Sequence, residues 1–258
     1  GDSVPFGFNP LANPTDAGNF IGYPEIAAQR LNIEDVNATC PGEASGGFLS
    51  LTGTDNVCRP YRSFFPLHTA YTGTQMAFAT SYLSSHPDTR LVTLMLGAND
   101  LFRWQKDCAV SPTTGTCPLG FGGVLATMRA NLNTILAGIR ATGYTGLIVA
   151  VTYYSLNYSD PAGVAVGLAL NAQMQAAAAA HGAVIADGFA AWAPVAATAG
   201  GDSCAAGLLI QLTPPPSLSC DVHPTPLGRD LLATAVVNAV AASCAANSPI
   251  GCLNRNRG

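Results

Sequence analysis

One lysine, Lys106, stands among 258 residues, and only 10% of the chain is charged. With a net charge of −4 and no basic run or basic–aromatic patch, the chain lacks the electrostatic footprint of nucleic-acid binding. No uninterrupted apolar stretch reaches membrane-spanning length, so stable membrane insertion is not expected. Cys-x-x-Cys pairs and Cys/His clusters are missing, which removes the common metal frameworks; neither metal nor cofactor is expected. Gly-x-Ser-x-Gly is absent as well, which argues against one hydrolase architecture but not against hydrolysis. No signal peptide is visible, and no internal repeat or linker divides the chain.

What is present suits one sizeable α/β domain, residues 1–258, and a monomer. Hydrophobic residues make up 48% of the chain, too many for disorder. Abundant alanine and glycine suggest close helix–sheet packing. Eight cysteines fall into close sequential couples: Cys40/Cys58, Cys108/Cys117, Cys204/Cys220 and Cys244/Cys252. Each couple brackets a loop rich in Gly, Pro, Ser or Thr. Four local disulfides are expected, and with them an oxidising compartment. Sequence does not select among the roughly 105 possible pairings, and buried free thiols are the alternative.

Helical and extended signals alternate. Ile33–Ala38 alternates as a strand leading into Cys40-Pro41-Gly42, and Leu91–Leu96 is a buried-strand run ending at Gly97. Leu147–Tyr153 and Ala183–Ala186 read as two more strands. Thr72 or Thr74 caps a helix to about Leu83. Val124, Leu125, Met128, Leu132, Ile135, Leu136 and Ile139 recur at helical spacing, giving an amphipathic helix over 123–141 that Gly143 ends. An Ala-rich helix is expected over 163–180. A last helix starts with Thr225 as N-cap and Pro226 at its first position, and runs to about Ala242. Strands separated by helices imply right-handed crossovers and a parallel sheet. Residues 192–222 show no periodicity and read as a long loop, with Cys204/Cys220 as its staple. Ligands of open parallel sheets bind at the carboxyl ends of the strands, where Gly42 and Gly97–Asp100 would lie.

Three short blocks carry chemistry: Gly1-Asp2-Ser3, Gly97-Ala98-Asn99-Asp100 and His223-Pro224. A serine attacks an ester only if a base takes its proton and donors stabilise the oxyanion; Ser3, His223 and Asn99 can fill those roles. Each alone has an ordinary reading: Ser3 as a helix cap, Asn99 as a turn former, His223 as a surface loop residue. His68, His86 and His181 lack such context and read as structural or solvent-facing.

In order and spacing, the blocks Gly1-Asp2-Ser3-Val4-Pro5-Phe6-Gly7, Gly42, Gly97–Asp100 and His223-Pro224 resemble the GDSL, or SGNH, hydrolases from residue 1 to about residue 243. The cysteine pattern is similar to that of secreted bacterial esterases and lipases of this superfamily. The resemblance implies a three-layer α/β/α sandwich around a central parallel, flavodoxin-like sheet. It implies Ser3 as nucleophile and His223 as general base. The oxyanion hole it implies consists of the Ser3 N–H, the Gly42 N–H and the Asn99 side-chain amide. Gly-Asp-Ser also occurs at 201–203, but after Gly200, beside Cys204, and out of family order, so Ser203 is set aside.

Two departures stand out. The family's acid usually lies three residues before the histidine; here that position is Cys220, and Asp221 lies two before. Either Asp221 or a backbone carbonyl in 219–222 must orient the imidazole. The strand that should precede Gly1 is also absent, which leads us to expect either residues upstream or a rearranged segment in its slot.

Val4, Pro5, Phe6 and Phe8 follow the nucleophile, and Leu101, Phe102 and Trp104 follow Asn99. If both loops line the site, its walls suit an acyl chain; ordinary loop packing is the alternative. The expected protein is a secreted, metal-independent serine carboxylic-ester hydrolase acting on a small-molecule or lipid ester. The alternatives are a carbohydrate O-deacetylase, a phospholipase, or a non-catalytic lipid- or glycan-binding relative.

Overall fold

A computed structural model describes residues 1–245. In chain order the elements are α1 (Ser3–Phe6), α2 (Tyr23–Leu31), α3 (Ser45–Leu49), α4 (Cys58–Phe64), α5 (Gln75–Ser85), β1 (Leu91–Leu94), α6 (Ala98–Val110) and α7 (Gly120–Ala141). There follow β2 (Leu147–Val151), α8 (Pro161–Ala180), β3 (Val184–Ala186), α9 (Gly188–Ala197), β4 (Leu209–Thr213), β5 (Ser219–Pro224) and α10 (Pro226–Ala245).

The central sheet is parallel, in the order β1-β2-β3, with Leu91 opposite Leu147 and Val149 opposite Val184. Every residue of β2 is buried, as expected of a strand covered on both faces. The apolar stripe of α7, from Val124 to Ile139, is buried and packs on α8. On the other side, α10 packs against β2, β3, α2 and α9. The molecule is thus an α/β sandwich around a parallel sheet.

The expected strand over Ile33–Ala38 does not form, although its chain is not helical. Its pairing edge is out of reach. Between Ile33–Thr39 and β1 lies a cavity of about 800 Å³, also bordered by Gly1, Phe78, Tyr82 and Leu83. At its upper end Gly1-Asp2 touches both walls: Asp2 N–H donates to the Met95 carbonyl (3.3 Å) and Cys40 N–H to the Gly1 carbonyl (3.2 Å). Below those bonds no described segment fills the slot, so neither wall has a ladder partner there.

Residues 192–222 are also more ordered than expected. They contain the end of α9 and an antiparallel hairpin, β4–β5. Three disulfides have the anticipated pairing: Cys40–Cys58, Cys108–Cys117 and Cys204–Cys220. The fourth couple involves Cys252, outside the described residues.

Among the described residues, only the last helix, α10, is apolar enough by length and composition to cross a bilayer; Arg229 and Asp230 interrupt its run in the sequence. Its Leu232, Ala233, Val236 and Val240 are buried against the sheet and α2, the position of a core helix.

Candidate active site

Ser3 opens α1, a single turn that Asp2 caps by accepting from Val4 N–H (3.0 Å) and that Gly7 closes in the left-handed conformation. The Asp2 carboxylate is buried and also accepts from the Tyr153 hydroxyl at the end of β2. Burial pushes the Asp2 pKa up, against the opposing hydrogen bonds from Tyr153 and Val4. Tyr153 is itself fixed by Asn171 of α8, which bonds both its N–H (2.8 Å) and its carbonyl (2.7 Å). The turn bearing Ser3 is therefore held from two elements far away in sequence.

His223 comes from the other end of the chain, with its Nε2 2.7 Å from the Ser3 Oγ. Its Nδ1 bonds Asp221 Oδ1, and the same oxygen accepts from the His223 backbone N–H at 3.0 Å. An Asp side chain reaching the N–H two residues on is a familiar local turn, and here it brings the acid to the ring at a spacing of two. The hairpin register makes room for it. From Leu209 to Gln211 on β4 is two steps, while their partners Pro224 and Cys220 on β5 are four steps apart. The extra residues of this bulge are those around Asp221 and His223, and bulges re-aim side chains in this way. Val222, between them, is held by the Tyr154 hydroxyl (2.6 Å). Half-burial alone would raise the Asp221 pKa, but the ring hydrogen bond, the imidazolium charge and the backbone N–H outweigh it and hold it below the usual carboxylate range.

Gly42 sits in a buried turn at φ +82°, where a Cβ would come within 2.2 Å of Val57 Cγ2. Its carbonyl accepts from Asn56 N–H (3.1 Å) and Val57 N–H (3.3 Å). Neither the Gly42 N–H nor the Ser3 N–H is taken by a protein acceptor among the described residues. Asn99, in the first turn of α6, is buried, and its Oδ1 accepts from Asn56 Nδ2 at 2.9 Å. Next to it, Asp100 accepts from the Ser45 N–H (2.9 Å) and hydroxyl (2.6 Å), tying α6 to α3. Burial outweighs these bonds and raises the Asp100 pKa to about 6.

The apolar residues divide. Val4, Pro5, Phe6 and Leu101 are buried. Phe6 packs on Phe20, Tyr61 and His68 beneath the site. Phe102 is exposed. Phe8 packs against the imidazole, its ring 5.0 Å from that of His223. Ser203 is fully buried, and its hydroxyl is committed to the Ser155 carbonyl (2.7 Å). His68 bonds the Phe6 carbonyl, His86 the Tyr82 carbonyl and His181 the Asn133 amide; none approaches a serine hydroxyl other than Ser85, beside His86. A Glu43–Asp55–Cys58 group has metal-like proximity, but Cys58 is consumed by its disulfide. Tyr153 and Asn56 carry no motif, and only their contacts single them out.

The sequence model of the GDSL-like lipase/acylhydrolase family matches residues 1–231. No curated protein matches the chain. Among solved structures, similar folds include a G-D-S-L lipolytic protein from Veillonella parvula, with 13% identity, 92% of this chain and 93% of that one covered, and a TM-score of 0.51. LAE5, a hydrolase from the metagenome of Lake Arreo, is 16% identical over 98% of this chain and 93% of its own, with a TM-score of 0.52. Axe2, an acetylxylan esterase from Geobacillus stearothermophilus, is 16% identical over 92% and 90%, with a TM-score of 0.54.

Proposed function

The chain belongs to the GDSL-like lipase/acylhydrolase family and is a carboxylic-ester hydrolase, and from that premise we propose that Ser3, His223 and Asp221 are its catalytic triad. Ser3 Oγ attacks the ester carbonyl carbon while His223 Nε2 accepts its proton. The carbonyl oxygen becomes an oxyanion facing the Ser3 N–H, the Gly42 N–H and the Asn99 Nδ2. Collapse expels the alcohol, which takes the proton from His223, and leaves an acyl-Ser3 ester. Water, deprotonated by His223, attacks that ester; the second collapse releases the acid and returns the proton to Ser3. Asp221 fixes the ring with Nδ1 protonated and balances the transient imidazolium.

The observation that carries this reading is the chain of contacts from Ser3 Oγ through the His223 ring to Asp221. Residues 1–258 act as one hydrolase unit. The three disulfides suit an oxidising compartment, and we propose that the protein is secreted, works as a monomer and needs no metal.

Phe8 beside His223 and the exposed ring of Phe102 favour an acyl ester over a polar one, with Val4, Pro5, Phe6 and Leu101 backing the wall. The likeness to Axe2, an acetylxylan esterase, favours a second reading, a carbohydrate O-deacetylase. A p-nitrophenyl ester series from acetyl to long acyl, run with the parent and Ser3→Ala, tests both. Turnover that extends beyond acetyl and disappears in Ser3→Ala is expected. Acetyl-only turnover favours the deacetylase, and activity surviving in Ser3→Ala removes Ser3 as nucleophile.

A further inference from the structure

We infer that Asn56 is a positioning residue that sets the polarity of the Asn99 amide; the inference rests on the reading of Asn99 as an oxyanion donor. A primary amide has a donor end and an acceptor end of nearly the same shape. A buried Asn99 serves the oxyanion only if its Nδ2, and not its Oδ1, faces the reacting carbonyl. The bond that decides this is Asn56 Nδ2 to Asn99 Oδ1, at 2.9 Å. By taking up the acceptor end, Asn56 leaves the donor end for the oxyanion. The inverse arrangement, with Asn99 Nδ2 donating to Asn56 Oδ1, would aim a carbonyl dipole at the developing negative charge.

Asn56 is built for that task. Its backbone N–H, with that of Val57, holds the Gly42 carbonyl, so one residue braces two of the proposed donors. The loop beneath it is clamped from several sides. Asp55 accepts from the Cys58 N–H (2.9 Å) and the Arg59 N–H (3.0 Å). Arg103 donates to the Asp55 carbonyl (3.2 Å), and Arg59 donates to the carbonyls of Leu51 (2.7 Å) and Gly53 (2.9 Å). The Cys40–Cys58 disulfide then joins this loop to the Gly42 turn. One cost is visible: Asn56 Oδ1 is buried and has no hydrogen-bond partner. A buried polar atom left unpaired is destabilising. The inverse arrangement would pair that oxygen but put the Asn56 Nδ2 in the same unpartnered place, so it makes no more bonds than the observed one and differs in which end of the Asn99 amide stays free. Fixed dipoles aimed before the reaction begins are what make such a hole effective.

The test is a double-mutant cycle on ester hydrolysis with Asn56→Ala, Asn56→Asp and Asn99→Ala. Asn56→Asp keeps the side chain's size but has only acceptors, so it turns the Asn99 amide over. Its kcat should fall by about 10²–10³, as far as loss of one oxyanion donor, with KM within about twofold because ground-state binding is unchanged. Asn56→Ala should fall less, since Asn99 is then free to rotate. In an Asn99→Ala background Asn56→Ala should change kcat no further. Equal effects of Asn56→Ala in both backgrounds would overturn the inference. So would a parental kcat in Asn56→Asp alongside a crippled Asn99→Ala. Full kcat in Asn99→Ala removes the oxyanion reading itself, a separate failure. Thermal unfolding of each variant identifies a structural role, in which kcat loss follows lost Tm and Asn56→Ala is no milder than Asn56→Asp.

Discussion

At the scale of single residues, a spacing of two between Asp221 and His223 is made to work by a local turn. Asp221 reaches the His223 ring by the same oxygen that receives the His223 N–H. Asp221→Asn preserves the shape but no longer fixes the ring tautomer, so kcat should fall by about 10⁴ while KM changes little; steady-state kinetics on one ester checks it. A loss of tenfold or less would mean that a backbone carbonyl orients the ring. Asp100 gives a pH prediction. Its folded pKa, raised by burial to about 6, exceeds the ordinary carboxylate value of 3.8, so the native state holds a proton that the unfolded chain has released. Such a group contributes most to stability below its unfolded pKa, and the contribution declines as pH rises to the folded value. The urea stability of the parent should therefore fall relative to Asp100→Asn between about pH 4 and pH 6, by an amount on the order of 2–3 kcal/mol, and stay level above. Unfolding midpoints of both proteins at pH 4, 6 and 8 measure it. The proposed roles of Ser3, Asn99 and His223 were legible because family order concentrates three weak signals. Asn56 was not, because a lone Asn beside an Asp reads only as a turn.

At the scale of elements, helices were readable where periodicity or capping chemistry was strong. Thr74 caps α5 by accepting from the Ala77 N–H, and the apolar stripe of α7 from Val124 to Ile139 lies buried. The β4–β5 hairpin escaped because its two bulges and the Pro214-Pro215-Pro216 turn destroy any alternation that would mark a strand. Ile33–Ala38 failed the other way: it has the pattern of a strand but no neighbour within ladder distance, and pairing, not propensity, makes a strand. The hairpin that carries His223 is stapled by Cys204–Cys220, sixteen residues apart in sequence. Closing a loop of that size contributes about 3 kcal/mol. Cys204→Ala/Cys220→Ala should lower the unfolding free energy by about 2–4 kcal/mol and depress kcat at temperatures well below the new Tm, since the bulge that aims the base loses its anchor. A variant that is destabilised yet keeps full kcat in the cold would show that Tyr154 and α10 suffice to hold the bulge.

At the scale of the whole molecule, Ser3 and His223, 220 residues apart in sequence, meet at one rim of the sheet, and the family's block order is a record of that topology. The sheet that supports it is uneven. β2 is paired on both sides, whereas β1 faces the 800 Å³ cavity along its outer edge. Amides of β2, paired on both sides and buried, should be among the slowest to exchange with deuterium. Hydrogen exchange resolved to single residues checks this, and β2 amides exchanging as fast as those of exposed loops would contradict it.

Labelling of the folded parent with a fluorophosphonate, followed by mass spectrometry to locate the adduct, tests whether Ser3, activated by His223, is the nucleophile. One adduct per chain is expected, on Ser3, formed at least a hundredfold more slowly in His223→Ala, given the roughly 10²–10⁴ that a positioned base contributes. An adduct on Ser203 or any other serine, or labelling of Ser3 at the same rate without His223, would contradict it.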